Sequence, residues 1–110
     1  MKLTLTALLL ALLMSLTVSL TGCETTSDIE LRRAEAALNE ALAVGADASA
    51  SEDYMKAEEL LIKAQELARD NKVLESRQTA VEAKVIADDA KRKAEERLRI
   101  LEDEAERLGK

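Results

Sequence analysis

The sequence predicts an all-α protein: an antiparallel helical hairpin or three-helix bundle from which a long C-terminal helix projects. Three observations predict it. The 110 residues contain no Pro and three Gly, and 35% are Asp, Glu, Lys or Arg, a balance that suits helices. From residue 24 onward the apolar residues are 17 alanines and 20 larger side chains, of which Tyr54 alone is aromatic. That leaves too few aromatic and turn-forming residues for a β-sandwich or barrel. Apolar residues also recur at steps of three and four along three separate stretches, the signature of one buried helical face.

The first element is a leader. Lys2 is followed by Leu3 to Gly22 without a charge, as expected of a secretory signal. The run ends in Leu20-Thr21-Gly22-Cys23. This resembles the lipobox of bacterial lipoproteins: an aliphatic residue, a small one, Gly or Ala, then Cys. The resemblance implies cleavage between Gly22 and Cys23, acylation of the Cys23 thiol and, in most such proteins, acylation of the new amine. Several acyl chains make a stable anchor, because each buried CH₂ contributes about 0.8 kcal/mol and one chain alone is marginal. Two other readings of the segment are a permanent transmembrane helix, for which about 20 apolar residues suffice, and an ordinary signal with a chance cysteine. The lipobox is preferred because the sole cysteine of the chain stands at the required position and opens a polar segment. A lone cysteine has no internal partner for a disulfide. Glu24 is not the Asp that favours inner-membrane retention in lipoprotein sorting, so the expected location is the outer membrane, facing the periplasm.

Residues 23–28 are expected to form a lipidated tether and 29–110 an alanine-rich helical domain. Helix one is expected over about 28–44. Ser27 and Glu30 have capping-box spacing, Leu31, Ala34, Leu38 and Ala41 share a face, and Gly45 ends the helix. Residues 46–51 read as a small-residue linker. Ser49 and Glu52 form a second capping-box pair ahead of helix two, expected over about 51–69, with Tyr54, Ala57, Leu61, Ala64 and Ala68 on its face. Asp70-Asn71 reads as a turn. Continuing the stripe of helix two lands on Asn71, Glu75, Gln78 and Glu82, all polar. A different phase, through Leu60, Ala64, Leu67, Leu74, Val81 and Val85, would allow one long helix. The turn is favoured because a hairpin buries both stripes on each other.

Helix three is expected over about 72–108. Its stripe is Ala80, Ala83, Ala87, Ala90, Ala94, Leu98, Leu101, Ala105 and Leu108. Five acid-then-base pairs at i and i+4 support it: Asp88–Arg92, Asp89–Lys93, Glu95–Arg99, Asp103–Arg107 and Glu106–Lys110. Helix three is about twice as long as the others, so it should run out of partners near residue 90 and project. Because the chain leaves the anchor, returns and leaves again, the free end should point away from the membrane. Leu98, Leu101 and Leu108 then form a thin apolar stripe on a charged rod, a place for self-association or for an envelope protein partner, or else a solvated helix end.

Residues 32–96 are similar to a family of small bacterial lipoproteins with an alanine-rich helical domain, found alone or ahead of an OmpA-like module. The similarity rests on Ala41, Gly45-Ala46, Ala50, Tyr54, Ala57, Leu61, Ala64, Ala83, Ala87, Ala90 and Ala94, and covers about 65 of the 88 residues from Cys23 onward. The family often has Ala-Pro where this chain has Ala50-Ser51. The resemblance implies an envelope location and a helical fold, and names no activity.

These features predict a structural or adaptor lipoprotein. The alternative is a wall tether like the murein lipoprotein of enteric bacteria, whose C-terminal Lys is joined to peptidoglycan, since this chain ends in Lys110. An enzyme is disfavoured. There is no His for acid–base work or metal binding, the only thiol is taken by lipid, and no Gly-rich phosphate loop exists. The pairs Asp88-Asp89 and Glu95-Glu96 read as solvated faces, and Tyr54 as core in preference to a binding residue. No cofactor, metal, small-molecule substrate or nucleic-acid partner is expected. Residues 71–110 carry ten acids and ten bases, with no basic face.

Overall fold

The computed structural model of the protein describes residues 2–7, which are helical, and residues 26–109. The latter hold four helices: α1 (Thr26–Ala43), the single turn α2 (Ala46–Ser49), α3 (Ser51–Arg69) and α4 (Val73–Leu108). The architecture is the all-α bundle expected, with α4 as its spine. Both α1 and α3 lie on the alanine face of α4 and touch each other less extensively.

The core is built from six inward positions per helix, spaced 4-3-4-3-4. On α4 these are Ser76, Ala80, Ala83, Ala87, Ala90 and Ala94, all fully buried. On α1 they are Ser27, Leu31, Ala34, Leu38 and Ala41, with Gly45 just beyond. On α3 they are Tyr54, Ala57, Leu61, Ala64 and Ala68, with Ala50 just before. Ala34 clusters with Ala83, Leu38 with Ala87 and Ala41 with Ala90, so α1 and α4 run parallel. Ala64 clusters with Ala80, Ala57 with Ala87 and Ala50 with Ala94, so α3 runs antiparallel to both. Because α4 offers only small side chains, its partners approach closely. Larger residues seal the alanine layers: Leu31, Leu60 and Leu61 at one end, Leu38 with Tyr54, Leu61 and Ile86 in the middle, and Val44 with Tyr54 at the other end. Helix axes near the short end of the usual 8–10 Å range follow from this choice of residues.

Chain reversals use left-handed residues. Gly45 (φ 78°) ends α1, its N–H bonding to the Leu42 carbonyl at 3.0 Å. Asn71 (φ 59°) ends α3: its N–H reaches the Ala68 carbonyl at 3.1 Å, and the Lys72 N–H reaches Leu67 at 2.9 Å. That pair of bonds is a Schellman cap, which satisfies two orphan carbonyls. Asp70-Asn71 is therefore the turn, and Leu74, Val81 and Val85 of the rival phase are exposed.

Several details differ from expectation. Helix α1 already includes Thr26, so residues 26–28 are helix and Ser27 sits inside it, buried, where it cannot act as an N-cap. Residues 46–49 are a helical turn with Ala46 buried, not an open linker. Ala50 caps α3 without a side-chain bond, and the Ser49 hydroxyl donates back to the Gly45 carbonyl at 3.0 Å. The small residues 44–50 favour closing the end of the core over capping a helix. As a result α4 stays covered to Ala94 instead of to about residue 90.

Candidate functional site: the projecting end of the long helix

Beyond Ala94 every described residue is exposed. The projecting part, Glu95–Leu108, is 14 residues, about 21 Å at 1.5 Å per residue. Leu98, Leu101 and Leu108 are 46%, 50% and 87% exposed, although they continue the buried stripe. They stand 18 residues above Ala80, Ala83 and Ala90, which is five whole helical turns, and Ala105 stands above Ala87 in the same way. One face of α4 is therefore lined with alanine where α1 and α3 cover it, and mostly with leucine where nothing does. Ile100 lies about 120° away from this seam, outside it.

The steps between inward positions change at the same place. Ala90 to Ala94 and Ala94 to Leu98 are both steps of four, which insert a stutter into the heptad pattern. Two ion pairs pin α4 just below it. Lys91 Nζ donates to Glu40 of α1 at 2.9 Å, and Lys93 Nζ donates to Asp53 of α3. Each carboxylate, by hydrogen bond and charge, raises the pKa of its lysine above the ordinary value.

The intrahelical pairing also departs from the expected acid-then-base pattern. Asp88 pairs with Lys84 at 2.7 Å and Asp89 with Arg92 at 3.0 Å, because Lys93 is drawn across to Asp53. Arg99 pairs with Glu96 at 2.8 Å, one residue from the expected Glu95. Glu95 instead faces Lys91 at 4.0 Å. Among the described residues no group of acids is arranged to hold a metal ion.

A second surface was not legible in the sequence. On the side away from α4, a groove of about 330 Å³ runs between α1 and α3, lined by Glu35, Leu38, Asn39, Tyr54, Glu58, Leu61 and Ile62. Gln65 Nε2 donates to Glu35 across it at 3.1 Å. Its residues lie on two helices whose relative rotation only packing determines. Tyr54 belongs to both the core and this groove: it packs against two core clusters and lines the groove. Burial, and then the Glu58 and Asp47 charges, push its phenol above the ordinary tyrosine pKa.

The lipobox residues Leu20, Thr21, Gly22 and Cys23, and Lys110, lie outside the described residues. Among the described residues no helix is long and apolar enough to cross a membrane. In comparisons with known proteins, no family model, no curated protein and no solved structure matches this chain.

Proposed function

We propose that this protein is an envelope lipoprotein of structural or adaptor type, anchored through acylated Cys23 and presenting the end of α4 as its contact surface. The observation that carries the reading is the stripe that turns from buried alanine to exposed leucine where α1 and α3 stop. A solvated helix end has no need of leucines held in phase with a core. The lipobox-like Leu20-Thr21-Gly22-Cys23 supports the anchor, and Glu24 supports an outer-membrane location facing the periplasm. Two residues of sequence separate Cys23 from Thr26, the first described residue of α1. Since α1 and α4 run parallel, an anchor ahead of α1 leaves the leucine stripe at the opposite end. The similarity to alanine-rich helical lipoproteins agrees with this reading.

The anchor is tested by fractionating cell envelopes and labelling with palmitate. Native protein is expected in the membrane fraction with label, and Cys23→Ser in the soluble fraction without it. A Cys23→Ser protein that still sediments with membranes, or native protein that takes no palmitate, overturns the reading.

A further inference from the structure

We propose that the end of the bundle nearest the anchor is a lipid-contact surface. The α3–α4 turn and the start of α4 rest on the headgroup layer of the bilayer that holds Cys23. Val73 and Leu74 dip towards its apolar boundary, and Arg69, Lys72 and Arg77 meet the phosphates of anionic lipids. This rests on the reading of Cys23 as the anchor and deepens it: the acyl chains hold the protein, and the turn sets how it stands.

The register of the helices places this surface. Ala34 clusters with Ala83, Leu38 with Ala87 and Ala41 with Ala90, each pair 49 residues apart. On that register α4 begins, at Val73, two residues or about 3 Å beyond the start of α1 at Thr26, on the side of Cys23. Arg69, in the last turn of α3, comes level with Glu75. The chain from Cys23 to Thr26 is three residue steps, which reach at most about 11 Å. With the bundle upright, the turn therefore stays within about 8 Å of the level of Cys23, a distance comparable to the headgroup layer of about 5–7 Å.

The side chains suit that setting. Val73 and Leu74 are 40% and 65% exposed. Side chains on a helix lean towards its N-terminus, so both lean towards the anchor. Arg69, Lys72 and Arg77 are exposed and form no ion pair with another described residue. Their long stems can lie along apolar surface while the charged ends reach phosphate. Asp28, Glu30, Asp70 and Glu75 share this end of the bundle, Glu30 being tied to Arg33 at 3.0 Å. Even so, residues 26–33 and 69–77 together hold one more base than acids. The rest of the bundle, residues 34–68 and 78–94, holds five more acids than bases, and residues 95–110 hold two more. An anionic surface therefore attracts the turn and repels the flanks and the far end of α4. Tether length, the exposed apolar pair and this charge gradient all favour a bundle that stands on its turn.

Acylation leaves Cys23 no free thiol, so Leu74→Cys and Leu101→Cys each supply the sole reactive thiol of the acylated chain. Both positions are exposed, so neither change disturbs the core. Each variant is labelled with a polarity-sensitive fluorophore and reconstituted into vesicles of phosphatidylethanolamine and phosphatidylglycerol, with and without a nitroxide-bearing lipid. The label at position 74 is expected to emit further to the blue than the same label on residues 24–110 in buffer, and to be quenched by the nitroxide lipid. The label at position 101 should do neither. Lys72→Gln and Arg77→Gln should each lower the ratio of docked to undocked bundle about fivefold, read as weaker quenching at position 74. A label at 74 that stays in water, a label at 101 that shifts as far, or quenching at 74 that both glutamine changes leave untouched overturns the proposal. Failure of the anchor is read separately, by palmitate labelling of native protein, and without acylation the proposal falls with it.

Discussion

Tyr54 and Leu38 show how much one side chain carries in a core made mainly of methyl groups. Leu38 is the one large buried side chain in its cluster with Ala37, Ala57 and Ala87, against which the half-buried Tyr54, Leu61 and Ile86 pack. Leu38→Ala is therefore expected to cost about 2–4 kcal/mol, read as a fall in the denaturant midpoint. Ala87→Leu places another large residue in the same layer and should cost about 1–3 kcal/mol. Ala105→Leu, on the same face five turns further on, should leave bundle stability unchanged. Tyr54 is the only aromatic residue, so phenolate absorbance reports on it alone. Its midpoint should lie above that of free tyrosine in the folded protein and return to it in denaturant. A phenol harder to ionise when folded contributes stability that is complete below its unfolded pKa and is lost as pH rises through the folded value. Lys91 and Lys93, also raised, act with the same sign. Thermal stability should accordingly fall on the alkaline side, beginning in the ordinary tyrosine and lysine range. A flat profile there would contradict the burial of Tyr54 and both interhelical ion pairs.

Among the elements, the two reversals differ in how they are held. Asn71 adopts φ 59° inside a Schellman cap, a conformation that costs most non-glycine residues about 1–2 kcal/mol. Asn71→Ala is expected to destabilise by about 1 kcal/mol and Asn71→Gly to stay within about 0.5 kcal/mol of the native protein, measured by chemical denaturation. The start of α4 is fastened differently. Ser76 is fully buried, and its hydroxyl donates to the Ala64 carbonyl of α3 at 2.7 Å. Ser76→Ala removes that tie without leaving a buried donor, so a loss of about 0.5–1.5 kcal/mol is expected. The helix bounds and the Asn71 turn were legible because step spacing and left-handed tolerance are local properties. The caps were not. Ser27 and Ser49 have the side chains and spacing of N-caps, yet one is buried within α1 and the other bonds backwards to Gly45. Capping chemistry competes with core closure, and here the core prevails.

The molecule as a whole divides at Ala94 into a part that folds and a part that reaches. Truncation after Glu96 removes no buried side chain, so residues 24–96 should unfold at nearly the same temperature as residues 24–110. A drop of more than about 8 °C in melting temperature would mean that the end of α4 supports the bundle. The overhang itself follows from unequal helix lengths, which spacing makes plain. Its starting point moved from about residue 90 to Ala94 because Ala46 and Ala50 extend the cover over α4, a contact between segments more than forty residues apart.

By itself the sequence determined the three long helices, the turn at Asn71, the alanine face and the leucine face that continues it, because each depends on a period or a backbone preference confined to a few neighbouring residues. Only the tertiary structure decided which carboxylate Lys91 and Lys93 meet, which large side chains seal each alanine layer, where the cover over α4 ends, and that a groove opens between α1 and α3. Those outcomes depend on the register and rotation of whole helices against one another. Periodicity along one helix marks a face but carries no information about what lies opposite it.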